Sequence, residues 1–185
     1  KAPLLRAVPD LDQSVFMVEP QAKGTGPALA WAAWETAKVD PEAVIVSIHA
    51  DHVIQPESAF VELLHETAAL AESTGQLFTI AVPPTRPETG YGYIEPGGEL
   101  EEASKHTAFT VASFREKPDH DTAQEYIESG HLWNSGIFMM KASVWCREIE
   151  RLQPDIYSAC LAAYEKGKVD KEFYRLDKDS FLGCP

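Results

Sequence analysis

The stretch VIVSIHADHVI, residues 44–54, constrains the fold of this chain more than any other. Val44, Ile45, Val46 and Ile48 make an almost unbroken β-branched run. Such a run reads as a strand buried on both faces, as in a parallel sheet. His49, Ala50, Asp51 and His52 stand where that strand ends. In open α/β sheets, ligands gather outside the carboxyl ends of the strands. Asp51 at such an edge, with no Lys or Arg beside it in sequence, suits a metal ion and equally suits capping of the turn. The two histidines suit a ligand cluster or plain solvation. HADH also passes for part of an HxHxDH zinc site, but Ser47 occupies the place of the first histidine.

Strand and helix patterns alternate around this stretch. SVFMV, residues 14–18, reads as a short strand ended by Glu19-Pro20. In QAKGTGPAL, Gly24 and Gly26 allow close backbone approach, Thr25 offers a hydroxyl, and Pro27 fits a first helical turn. A loop of that kind at a helix N-terminus is a ready anion or nucleotide site, or simply a strand-to-helix turn. The run ALAWAAWETAKV from Ala28 is apolar nearly all round, so a helix there should pack against a sheet. Pro56 and Glu57 open a second helix, with a stripe of Phe60, Leu63, Leu64, Ala68 and Ala71, and Gly75 ends it. QLFTIAV, residues 76–82, is the next strand. This rhythm predicts βαβ units, a parallel sheet and one domain over residues 1–185.

The segment PPTRPETGYGYIEPGGE breaks the rhythm. Glu88 could accept from sugar hydroxyls, Tyr91 could stack on a ring face, and Gly92 permits close approach. A hairpin turning through Gly97-Gly98 should pair residues 93–95 with residues 107–115. Glu116 and Lys117 follow at the strand end, fit to hold a sugar hydroxyl and a phosphate or to form a surface ion pair. Asp119 or Asp121 should cap a helix with Ala123, Tyr126 and Ile127 on its apolar face, ending at Gly130. Asn134, Ser135 and Gly136 precede a core strand at residues 137–140, in a loop anchored by Trp133. Helices are expected over 142–152 and 154–166, and residues 173–185 have no clear period.

A formal net charge of −13 argues against nucleic acid or an anionic membrane as partner. A phosphate ligand must then be held by local devices. Cys146, Cys160 and Cys184 are widely spaced and odd in number, which suits a reducing, cytoplasmic compartment. No apolar run reaches the length of a membrane span, and no signal peptide is visible. The start without Met and the end at FLGCP read as a piece of a longer chain.

The segments EPQAKGTGPAL from Glu19, ADHVI from Ala50, PTRPETGYGYI from Pro84, FREKPD from Phe114 and LWNSGIF from Leu132 occur in this order. In them the chain resembles the mannose-1-phosphate guanylyltransferases, a branch of the sugar nucleotidyltransferases. The resemblance implies a Rossmann-like, GT-A-like α/β domain whose mixed, mostly parallel sheet is flanked by helices. It implies that the parent protein makes GDP-mannose and pyrophosphate from GTP and mannose 1-phosphate, while residues 1–185 alone are inactive. It implies Mg²⁺ held through Asp51, with Asp51 and Lys117 as the catalytic residues. His49 and His52 then become neighbours, because imidazole is not a usual Mg²⁺ ligand. By the same carry-over Glu19, Pro20, Lys23, Thr25, Pro27, Ala28, Asp51 and His52 contact the nucleotide. Glu88, Tyr91, Gly92, Glu116, Lys117, Asn134, Ser135 and Gly136 surround the sugar phosphate.

Gly24 and Gly26 stand where the family has asparagine and alanine. Another NTP or hexose phosphate is therefore the alternative, and a non-catalytic sugar-nucleotide-binding fragment is a further one. The resemblance also implies a phosphate-binding loop like GGxGTRLWPLSR upstream and a second metal aspartate in a segment like SIDY downstream. No nucleic acid or membrane partner is expected, and a homodimer is compatible with the sequence.

Overall fold

The computed structural model describes residues 6, 9, 17–101, 105–170 and 173–185. In chain order the elements are β1 (Met17–Val18), α1 (Thr25–Val39), β2 (Val44–Ser47), α2 (Glu57–Thr74) and β3 (Phe78–Val82). They continue with β4 (Gly92–Glu99), β5 (Phe109–Glu116), α3 (His120–Glu128) and β6 (Leu132–Lys141). The chain ends in α4 (Ala142–Leu152), α5 (Pro154–Glu165), β7 (Lys168–Asp170), β8 (Phe173–Arg175) and α6 (Lys178–Leu182). Two compact units result: Thr36–Val144, and Lys1–Glu35 together with Trp145–Pro185. The architecture is mixed α/β, with sheets flanked by helices.

In the Thr36–Val144 unit the sheet is organised by β6, not by β2. β2 pairs with β6 from Val44↔Lys141 to Ser47↔Phe138. β3 pairs along the other edge of β6, from Phe78↔Met139 to Val82↔Trp133. β4 joins the N-terminal part of β6 through Tyr93↔Trp133 and Ile94↔Leu132, and β5 pairs with β4. Every one of these ladders is antiparallel. β2 and β3 do run parallel to each other, linked by α2, as a βαβ unit requires. However, β6 lies between them, so the expectation of a mostly parallel sheet is corrected at the level of pairing.

The burial of β2 is corrected as well. It has one strand neighbour among the described residues, so Val46 and Ile48 are 37% and 50% exposed. The strand buried on both faces is β6, where Ile137, Met139 and Met140 are each 1% exposed.

Local signals explain the element ends. Gly75 takes the left-handed conformation (φ 64°) and its N–H donates to the Ala71 carbonyl, closing α2. Asp119, not Asp121, caps α3, accepting from the Thr122 N–H at 2.8 Å. α3 places Ala123, Tyr126 and Ile127 against Tyr93 and Trp133. The β4–β5 hairpin pairs as expected, but it does not turn at Gly97-Gly98. β4 runs on to Glu99, and Leu100 N–H donates to the Ala108 carbonyl. Gly97 serves a close approach instead: a Cβ there would meet Thr110 Oγ1 at 2.5 Å.

In the other unit, Trp31 of α1 packs with Ala163, Tyr164, Leu176 and Phe181. The apolar face of α1, expected to pack against a sheet, therefore meets helices and Tyr174 of a small sheet. That small sheet has the order β1-β8-β7, with β1 parallel to β8. β8 and α6 occupy the tail that shows no period in sequence. Of the expected strand at 14–18, residues 14–16 lie outside the described residues.

Candidate active site

The site begins as a break in the β3–β6 ladder. Thr79 pairs with Phe138 and Ala81 with Asn134, so β6 spends four steps where β3 spends two. The surplus residues bulge, and Gly136 takes φ 73°, a left-handed value that suits glycine. A bulge orphans backbone groups, and side chains answer them here. Ser135 Oγ donates to the Ile80 carbonyl at 2.6 Å and accepts from Ile137 N–H at 3.2 Å. Asn134 Oδ1 accepts from Gly136 N–H at 3.2 Å and from Thr79 Oγ1 at 2.8 Å. Gly136 also admits a neighbour: a Cβ on it would lie 2.5 Å from His49 Nε2.

The bulge forms one wall of a cavity of about 1020 Å³. Trp133, Asn134, Ser135 and Gly136 face it from β6. His49, Asp51 and His52 face it from the segment after β2, with the two imidazole centroids 4.9 Å apart. Tyr91, Gly92 and Glu116 close it from the hairpin. Tyr91 stands edge-on to Trp133 at 5.3 Å. Gly92 is required by the space: a Cβ would sit 2.7 Å from Glu116 Oε2 and from Phe114. Chain segments remote in sequence thus converge, with an apolar floor and a few polar groups, as small-molecule sites do.

Other expected contacts lie elsewhere. Glu88 does not line the cavity. Its carboxylate accepts from Arg86 Nη2 at 2.9 Å and from Gly90 N–H at 3.1 Å. The Gly90 N–H first, and Arg86 next, hold Glu88 below the usual carboxylate range. A lowered folded-state pKa means this latch contributes above the unfolded pKa and is lost as pH falls through the folded value. Arg86 also lies over the Trp133 ring at 5.6 Å. Lys117 is likewise outside the lining, although its neighbour Glu116 is within it. Lys117 holds φ 47°, unusual for a residue with a side chain. That conformation lets its N–H donate to the Tyr91 carbonyl at 3.1 Å, while its ammonium pairs with Glu116 at 3.2 Å.

Tyr93 was not anticipated from the sequence, although its hydroxyl pins the same loop. It accepts from Glu88 N–H and donates to the Glu88 carbonyl, each at 3.0 Å. Its ring is fully buried. Tyr93→Phe should cost roughly 1–2 kcal/mol by orphaning two backbone groups. Urea unfolding checks this, and unchanged stability would refute it.

The glycine loop belongs to the other unit. Gly24 is left-handed (φ 83°), and α1 starts at Thr25. Lys23 Nζ donates to the Cys184 carbonyl at 2.5 Å and to the Leu182 carbonyl at 3.4 Å, so its ammonium is already engaged. Glu19 Oε1 is buried with no hydrogen-bond partner among the described residues, and burial raises its pKa. Pro20 and Thr25 are exposed, Ala28 is half-buried and Pro27 is buried in the first turn.

A family model described as "Nucleotidyl transferase" matches residues 4–179. The chain belongs to the nucleotidyl transferase family. XanB, a xanthan biosynthesis protein of Xanthomonas campestris pv. campestris, is 43% identical over 93% of this chain and 36% of its own length. Mannose-1-phosphate guanylyltransferases of Salmonella muenchen and Escherichia coli K12 are 41% and 39% identical over 98% of this chain. The chain spans 38% of each of those two proteins. A solved structure titled mannose-6-phosphate isomerase from Helicobacter pylori superposes with a TM-score of 0.76 at 30% identity. It covers 91% of this chain and 63% of its own.

For a nucleotidyl transferase, a divalent cation is the expected helper, and the donor chemistry near β2 suits one. Among the described residues no group of three or more His, Cys, Asp or Glu is poised for a metal. Asp51 is exposed and makes no hydrogen bond or ion pair with the described residues. One hard carboxylate suits a divalent cation whose other ligands are water and phosphate oxygens. Of the sequence-level candidates, the fold gathers Asp51, His52, Tyr91, Gly92, Glu116, Asn134, Ser135 and Gly136. It commits the Ser135 hydroxyl to the bulge. Arg86, Thr79 and Tyr93 are the supporting residues that sequence reasoning missed. For Arg86 a signal existed: Arg86 and Glu88 stand two apart across a proline.

Proposed function

We propose that this chain is the nucleotidyl-transfer domain of a mannose-1-phosphate guanylyltransferase, joining GTP and mannose 1-phosphate into GDP-mannose and pyrophosphate. One observation carries the reading: a single cavity draws its walls from the ADHVI, GYGYI, FREKPD and LWNSGIF segments. The relatives bearing that name support it, and the family match runs across both units, which supports reading residues 1–185 as one domain.

In the reaction, an oxygen of the sugar phosphate attacks the α-phosphorus of GTP. The bond from that phosphorus to the bridging oxygen breaks, and pyrophosphate leaves. No protein nucleophile takes part, so the chain works by positioning and charge. Asp51 would hold Mg²⁺, which when bound supplies positive charge against the phosphate oxygens. Glu116 accepts from a sugar hydroxyl, and Asn134 donates to one. Tyr91 covers the ring face, Gly92 and Gly136 leave room for it, and Lys117 offers its exposed ammonium to the sugar phosphate. The loop with Glu19, Pro20, Thr25, Pro27 and Ala28 takes the guanosine, and Lys23 shapes it by holding the Cys184 carbonyl. His52 flanks the nucleotide phosphates. Three free thiols support a cytoplasmic location.

The test is pyrophosphate release by the full-length protein with each NTP against mannose 1-phosphate and glucose 1-phosphate. GTP with mannose 1-phosphate should give the highest kcat/KM. Efficient turnover with UTP or dTTP but not GTP would overturn the guanylyl assignment.

A further inference from the structure

We propose that Thr79 is a positioning residue for the sugar phosphate: it fixes the Asn134 carboxamide so that the cavity meets a hydrogen-bond donor at that point. The proposal rests on the sugar-phosphate reading of the cavity. Thr79 lies on β3 and is not among the residues lining that cavity. Its hydroxyl reaches across to β6, 2.8 Å from Asn134 Oδ1 and 3.1 Å from the Ile137 carbonyl.

A primary amide has one acceptor end and one donor end, and a half-turn exchanges them. Gly136 N–H can only donate, and it points at Oδ1 from 3.2 Å. The Thr79 hydroxyl has one proton and shares it between that oxygen, in the shorter contact, and the Ile137 carbonyl. The Gly136 N–H and the shorter of the two Thr79 hydroxyl contacts therefore both favour oxygen at this end of the amide. The half-turned amide would aim its own N–H groups at the Gly136 N–H, so it is disfavoured. What remains for a ligand is Nδ2, with two N–H groups. Asn134 thus addresses the lone pairs of a hexose hydroxyl or a phosphate oxygen.

Thr79 is suited to this because the bulge puts Asn134 beside it. The ladder partner of Thr79 is Phe138, and the register jumps to Ala81↔Asn134 at the next pair. Without the bulge, Asn134 would not stand beside Thr79. Removing the hydroxyl leaves Oδ1 with a single donor, and the amide is then held less firmly. A ligand would have to order it at the moment of binding.

The experiment uses the full-length protein and whichever NTP and hexose phosphate the wild type turns over. Thr79→Val should raise KM for the hexose phosphate about 10-fold, the usual scale for a lost oriented hydrogen bond. KM for the NTP should stay within about 2-fold. Thr79→Ser should restore the sugar-phosphate KM. Asn134→Asp, which puts an acceptor where Nδ2 stands, should lose at least as much as Thr79→Val. If Thr79→Val does not fold, Thr79→Ala is compared with Thr79→Ser in the same way. A Thr79→Val enzyme with wild-type sugar-phosphate KM overturns the positioning role. So does a parallel rise in both KM values together with a lowered Tm, which would mark Thr79 as a bulge staple only. A wild-type protein that rejects mannose 1-phosphate but shows the split with another hexose phosphate would overturn the substrate assignment and leave the positioning role standing.

Discussion

Asp51→Ala in the full-length protein should lower kcat/KM for the proposed GDP-mannose formation by about 10³-fold or more, the scale on which phosphoryl transfer suffers when a principal charge-stabilising device is lost. The size follows from the cavity's shortage of alternatives. The protein carries a formal charge of −13, so its overall field repels a triphosphate and a sugar phosphate alike. The other polar side chains that face the cavity from the segment after β2 are His49, His52 and Gln55, and imidazoles are poor Mg²⁺ ligands. The substitution should leave the fold intact. Asp51 is exposed and holds no hydrogen bond or ion pair with any described residue. Tm should therefore stay at the wild-type value while activity collapses. Asp51→Asn, which keeps the shape but not the charge, should fall with Asp51→Ala. The check is initial-rate pyrophosphate release across a Mg²⁺ titration, alongside thermal melts. Activity of Asp51→Ala within about 10-fold of wild type would remove Asp51 from the metal role.

Gly136→Ala should destabilise the protein by roughly 2–3 kcal/mol, with two separable causes. The first is conformational: Gly136 holds φ 73°, where a residue with a Cβ costs about 1 kcal/mol or more. The second is steric: the new methyl would lie 2.5 Å from His49 Nε2 and 3.2 Å from its Cδ2. His49 would have to swing away, breaking its 4.9 Å ring contact with His52 on the cavity wall. A His49→Ala background separates the two causes. There Gly136→Ala should cost only about 1 kcal/mol, because the backbone term alone survives. Urea unfolding of the four proteins measures this. An equal cost in both backgrounds would mean that the approach of His49 does not matter.

These two residues also mark how far the sequence could be read. Asp51 stood out because a β-branched run delivers it to a strand end, and strand ends are where α/β sheets bind ligands. Gly136 stood out only as part of LWNSGIF. Its reason, a left-handed bulge pressed against His49, needs two segments that are distant along the chain. Elements set by local signals were legible. The Gly75 stop of α2, the aspartate cap of α3 and the β4–β5 hairpin all rest on interactions within a few residues or on one alternating pattern.

Pairing was harder to read than patterning. The β-branched composition of β2 implied burial on both faces, yet β6 took the central place, because its ten residues can serve β2, β3 and β4 together. Ser135, Glu88 and Lys23 are polar residues in ligand-like motifs, and each proved to have a partner already. Ser135 holds the Ile80 carbonyl, Glu88 holds Arg86 and Gly90, and Lys23 holds the Cys184 carbonyl. Hydrogen-bonding capacity is visible in a sequence, but its expenditure is not, since the partner of Lys23 is more than 150 positions away.

By itself, then, the sequence determined the order of strands and helices as far as α5, the caps, the acidic balance and the motif set that places this chain among the nucleotidyl transferases. Each depends on residue type or on short-range spacing. Only the tertiary structure decided which strand stands at the centre, where β6 bulges and which polar groups of the cavity remain open to a ligand. Those outcomes depend on long-range register, and a shift of two residues in the β3–β6 ladder is enough to bring Thr79 and Asn134 together.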